Sequence, residues 1–201
     1  MAGIELLYQD DQDGKDARVR GSDNRFNASS RSDSRGYYNS RDAGQAYSVP
    51  FEMTTPVAGE YFAYWQNNHP NSLQLVISGI GVNAVQAARI KLHAVTGTAA
   101  TGSGVTAVTP VNMNRSSPNT AAASGVTTAV QGDTGATGIG TLTSVALIDF
   151  LYVTATGHEE FRLDDRLRLG VGDAIALEYD EGTTGDVAGV MFGYYEAKGR
   201  A

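Results

Sequence analysis

The residues of this 201-residue chain best suited to chemistry are its three histidines and the carboxylates around them. His158 opens the run Gly157-His-Glu-Glu-Phe161. On a strand His158 and Glu160 would share one face, and Asp164 could complete a three-ligand metal site there. The run lacks the helical His pairing of zinc hydrolases, and a charged outer strand face is the favoured account of it. Glu159-Glu160 and Asp164-Asp165 are adjacent in sequence. On a strand each pair splits across opposite faces and cannot flank one bond as acid and base. His93, between Leu92 and Ala94, is expected to be a solvated side chain on the polar face of a strand, and His69 precedes Pro70 in a turn. With no cysteine, thiol nucleophiles, disulfides and thiolate zinc sites are excluded. Gly79-Ile-Gly81 lacks the third glycine of a dinucleotide loop, and neither Gly-Lys-Ser/Thr nor Gly-x-Ser-x-Gly occurs. The expectation is a protein without enzymatic activity, metal or cofactor. The aromatic group Tyr61, Phe62, Tyr64 and Trp65 suits a sugar-stacking platform, but strand aromatics more often form core and cross-strand pairs.

Any such residues need elements to hold them, and composition points to β structure. Glycine is 24 of 201 residues, about 12 per cent against a usual ~7 per cent, which suits a turn-rich β protein. Fifteen Lys and Arg against 22 Asp and Glu give a net charge of −7, which argues against nucleic acid or anionic lipid as partner. No run of 18 apolar residues offers a membrane span, and the opening residues carry no basic segment ahead of an apolar stretch, so no secretory leader is expected.

Residues 1–45 read as an extended arm without a core of its own. They hold 7 basic and 8 acidic side chains, and their few apolar residues follow neither helical nor strand period. From Ser22 to Arg41, Arg, Ser, Asn and aromatics interleave. The plain alternative is a solvated linker. The sharper reading is an arm that orders on a neighbouring protein, with Arg25, Arg31 and Arg35 as planar donors and Phe26, Tyr37 and Tyr38 as anchors.

Beyond residue 45 the period becomes two. Tyr47, Val49 and Phe51 alternate with polar or small residues, and Pro50 marks an edge strand. Leu73, Leu75 and Ile77 form a strand that Gly79 and Gly81 are expected to break. Arg89, Lys91 and His93 alternate with Ile90, Leu92 and Ala94. Val82 to Ala88 could form a helical turn. The stretch 97–140 loses periodicity and reads as a long low-complexity loop with room for a short strand pair near Val105 to Val111. Regular strands return over Leu142 to Val153, His158 to Leu163, Ala174 to Tyr179 and Asp186 to Tyr195, with a turn at Gly170-Val-Gly-Asp173. About eight strands burying one face each imply two packed sheets. The expected fold is an all-β antiparallel sandwich of jelly-roll type over residues 46–201.

Several phrases together resemble small virion structural proteins of tailed bacteriophages and prophages. They are Asp23-Asn-Arg-Phe-Asn27, Ser34 to Arg41, Ala46-Tyr-Ser-Val49, Gly59 to Asn67, Thr109 to Arg115, Gly172 to Tyr179 and Gly189 to Tyr195. The resemblance implies a capsid decoration (cement) protein on the outside of the virion, made in the cytoplasm of the host bacterium. The major capsid protein would be its partner, with self-association, as a trimer, beside it. It implies no catalytic residue. A tail- or fibre-associated module binding a receptor or carbohydrate uses the same fold and would place function in the 97–140 loop or the exposed aromatics.

Overall fold

The computed structural model describes residues 6–9, 16–19, 44–54, 56–69, 73–97, 99, 105–117, 127–132, 139, 142–183 and 185–197. The chain forms two compact units, Met1–Asp33 and Ser34–Ala201. In the first, β1 (Leu6–Gln9) pairs antiparallel with β2 (Asp16–Val19), Leu6 opposite Val19. The apolar residues there gave no period from which to expect this hairpin.

The second unit is all-β among its described residues. Its strands are β3 (Ala46–Met53), β4 (Glu60–Asn67), β5 (Gln74–Ala84), β6 (Ala88–Thr96), β7 (Val105–Val108), β8 (Val111–Asn112), β9 (Thr127–Gly132), β10 (Thr143–Val153), β11 (Gly157–Leu169), β12 (Ala174–Gly182) and β13 (Val187–Glu196). They build two antiparallel sheets. One runs β10-β6-β12-β4-β9-β7 and the other β11-β5-β13-β3-β8. Their inner faces share one core. Tyr47, Val49, Phe51 and Met53 of β3 face Phe62, Ala63 and Trp65 of β4, all buried, and Phe51 meets Phe62 edge-on with ring centres 5.7 Å apart. Each large aromatic removes on the order of 150–250 Å² from water, so this aromatic layer is a large apolar contribution to the fold.

Alternation fixes β3 and β6 as the sequence leads one to expect. Ser48, Pro50 and Glu52 lie outward of the β3 core residues, and Pro50 sits beyond the two residues, Tyr47 and Ser48, that pair with β8. Three local expectations need correction. Gly79 and Gly81 do not end a strand, because β5 runs through both. They give seats to side chains of the neighbouring β11. A Cβ on Gly79 would lie 2.6 Å from Glu160 Oε1, and one on Gly81 would lie 3.1 Å from His158 Cε1. Val82 to Ala88 makes no helical turn; β5 continues to Ala84 and a bend at Val85-Gln86 leads into β6. Stretch 97–140 is not simply a loop. Its strands β7 and β9 pair with each other and extend the sheet beside β4, while β8 adds to β3 in the facing sheet. One insertion therefore lengthens both sheets along the same side of the sandwich.

Candidate functional site

The outer face of the six-stranded sheet carries the densest group of interacting polar side chains among the described residues. Register puts Arg89, Lys91 and His93 of β6 beside Tyr152, Phe150 and Leu147 of β10 on one flank. On the other flank stand Glu178 and Ala176 of β12, followed by Tyr61 and Tyr64 of β4. Antiparallel pairing aligns these side chains on one face, which is why residues from four segments meet.

His93 is the centre of this group. Its Nδ1 lies 2.9 Å from Ser144 Oγ, its Nε2 lies 2.6 Å from Glu178 Oε2, and Tyr61 stands edge-on with ring centres 5.6 Å apart. His93 is only 7% exposed, so the expectation of a solvated histidine is wrong. Its neighbours from three other strands cover it, and alternation along β6 alone carries no trace of them. The Tyr61 hydroxyl bonds Ser144, and its phenol is pushed up chiefly by burial and then by the nearby Glu178 carboxylate.

Beside this group runs a chain of ion pairs. Lys91 and Arg89 both donate to Asp180, Arg89 reaches Glu181 at 3.0 Å, and Lys91 stands 3.9 Å from Glu178. The hydrogen bond from Lys91, aided by that from Arg89, holds the Asp180 carboxyl below its ordinary range against the opposing effect of desolvation. Arg89 also bonds the Tyr152 hydroxyl at 3.3 Å and lies over its ring, 5.8 Å from the centroid. Ser144, His93 and Glu178 come in the order hydroxyl, imidazole, carboxylate that acyl-transfer sites use. The same contacts also cross-link strands. They fasten edge strand β10 through β6 and β12 to β4.

The sequence-predicted sites fare unequally. Arg25, Phe26, Arg31, Arg35, Tyr37 and Tyr38 lie outside the described residues. His158 and Glu160 do share an exposed face of β11, each lying over a glycine of β5, with His158 Nδ1 3.0 Å from Asn83 Oδ1. Asp164 does not follow the strand alternation that placed it with them. Asp164 and Asp165 take left-handed φ values of 47° and 59° and form an irregularity between Arg162 and Leu167. No group of three metal-binding side chains occurs among the described residues. The aromatics Phe62, Tyr64 and Trp65 are fully buried and Tyr61 half-buried, so they serve as core rather than as a sugar platform. His69 is likewise buried, against the ring of Tyr195, and desolvation lowers its basicity.

A feature the sequence did not flag is the exposure of β10. Val145, Leu147, Phe150 and Tyr152 are between 51% and 65% exposed. An apolar run such as Val145 to Val153 reads as buried; only the sheet order, which makes β10 an edge, reveals that its outer side is open. No protein-family model matches this chain, and no curated protein and no solved structure matches it.

Proposed function

We propose that the chain is a non-enzymatic structural protein of a tailed-bacteriophage virion, a capsid decoration protein that binds the head shell. In this reading the sandwich is a jelly roll that self-associates as a trimer. Arm residues Arg25, Phe26, Arg31, Arg35, Tyr37 and Tyr38 contact the major capsid protein. The strand order supports the jelly roll. The eight long strands interleave as β10-β6-β12-β4 and β11-β5-β13-β3, so successive strands β3 to β6 alternate between sheets, and so do β10 to β13. That double Greek-key winding is what a jelly roll requires.

The observation that carries the functional reading is where the phrases of the resemblance fall. Gly59 to Asn67 covers β4, and Gly172 to Tyr179 covers most of β12, its direct partner. Ala46 to Val49 opens β3, and Gly189 to Tyr195 lies in β13, again its partner. Four of the seven phrases thus sit on paired strands of both sheets, while Asp23 to Asn27 and Ser34 to Arg41 lie outside the described residues and Thr109 to Arg115 spans β8. A rigid body of this kind suits a part that must withstand internal pressure on a shell, and repeated weak contacts around an oligomer add through effective concentration.

The test is decoration of particles that lack the protein. Added full-length chain should sediment with them. The variant with all six arm residues changed to Ala should lose at least about tenfold in apparent affinity, the loss of one or two anchor side chains. Equal binding by that variant would remove the arm from the reading.

A further inference from the structure

We infer that Ser144 is an acyl-acceptor site, a hydroxyl that His93 activates toward thioesters and aryl esters, donors with a good leaving group. The inference goes beyond the virion reading and does not rest on it. One acyl group per copy is a modification of the chain, not turnover.

Three strands bring the parts together. Ser144 of β10 pairs with Val95 of β6, which sets it diagonal to His93 on the same face. Glu178 of β12 pairs with Lys91, which sets it diagonal to His93 from the other flank. Exposure divides the roles. Ser144 lies on an open edge strand and is exposed, so a reagent can reach its Oγ, whereas His93 behind it is buried. A reachable nucleophile backed by a base, itself backed by a third group, is the arrangement of an activated hydroxyl.

The carboxylate decides where the imidazole proton sits. His93 Nε2 stands 2.6 Å from Glu178 Oε2, and the N–H axis misses that oxygen, so the contact is electrostatic rather than a hydrogen bond. At that distance a carboxylate repels a bare nitrogen lone pair, so the neutral ring keeps its proton on Nε2. Nδ1 then turns its lone pair to Ser144 Oγ, 2.9 Å away, and the hydroxyl donates to it. With that proton committed, the Tyr61 hydroxyl that bonds Ser144 is left to donate to Oγ. Compared with a serine-hydrolase triad the two ring nitrogens exchange places, while the order of groups is kept.

In the step itself, Oγ attacks the acyl carbon as its proton passes to Nδ1. The bond to the leaving group breaks, and the thiolate or phenolate departs with the electron pair. Glu178 stabilises the imidazolium until it gives the proton to solvent. A positioned base contributes about 10²–10⁴-fold, enough to single out one serine for activated donors.

An alkyl fluorophosphonate tests this on the full-length chain, because its phosphorus stands in for the acyl carbon and stays attached when fluoride leaves. Peptide mapping should find the label on Ser144 and not on Ser116, which is exposed in the turn after β8. His93→Gln should be labelled at least about a hundredfold more slowly. Glu178→Gln should slow labelling by at least about tenfold, and Glu178→Asp, which restores the charge, should recover part of that loss. Circular dichroism shows which variants are folded and so comparable. The wild-type comparison of the two serines needs no variant, so it stands even where a substitution impairs folding. Wild-type Ser144 left unlabelled, or a folded His93→Gln or Glu178→Gln chain labelled at the wild-type rate, would overturn the inference.

Discussion

Asn67 shows how a single side chain joins the two sheets. At the end of β4, its Nδ2 donates to Leu73 O at 2.9 Å and to Leu169 O at 2.8 Å, while its Oδ1 accepts from the His69 N–H at 2.9 Å. Leu169 ends β11 in the facing sheet, 102 residues away in sequence. The side chain is fully buried, so all three bonds form out of water, where a lost partner costs about 1–3 kcal/mol each. Asn67→Asp replaces a donor to two carbonyls with a carboxylate facing them, and should destabilise by about 3 kcal/mol or more at pH 7. Lowering the pH towards 5 should recover part of that loss, because the protonated acid can donate again. Urea unfolding at both values checks the sign; a variant equally stable at both would contradict the assignment of the two donors. Nothing in the local sequence marks Asn67, since its partners arrive from strands far along the chain. His93 escaped for the same reason. Residue type and strand period were legible for both, whereas burial by other strands was not.

The ion pairs of β6 and β12 belong to the scale of elements, because they cross-link adjacent strands. Asp180 is held below its ordinary range near 3.8, chiefly by the Lys91 hydrogen bond. The stability it contributes is present above that value and is lost as pH falls through the depressed one. Lys91 is raised from 10.5, chiefly by its bond to Asp180, so its contribution holds below 10.5 and fades only above the raised value. The network therefore acts evenly across the neutral range. Asp180→Asn should lower Tm by a few degrees, since partly exposed pairs contribute modestly. The wild-type-minus-variant difference should stay constant from about pH 5 to 9 and shrink below about pH 4. A difference that varies within the neutral range would assign the effect to another group. At this scale the sequence was informative where alternation was strong, as in β3 and β6, and at the turn Gly170 to Asp173, which Asp173 closes by accepting from the Gly170 N–H at 2.9 Å. It misled at Gly79 and Gly81, where glycine serves a cross-strand neighbour rather than a turn. It left room for strands near Val105 to Val111, where β7 and β8 lie, but gave no sign of β9, whose Thr, Ala and Val residues show no period of their own. β8 and β9 gain partners because β3 and β4 present edges to them, and β7 pairs in turn with β9.

At the scale of the molecule, the sandwich exposes on one edge strand, β10, four of the nine exposed large apolar side chains among the described residues. The all-β class and two-layer build were readable from period and turn spacing, because each strand must bury a face. Which strand became an edge depends on pairing between distant segments, so the open side of β10 could not be read from its composition. If the chain decorates a phage head, many copies should repeat over the shell. Cryo-electron microscopy of purified particles, compared with particles lacking the protein, addresses this most directly. The account predicts difference density the size of the sandwich, repeated across the head lattice. Density confined to the tail, or no difference at all, would contradict it.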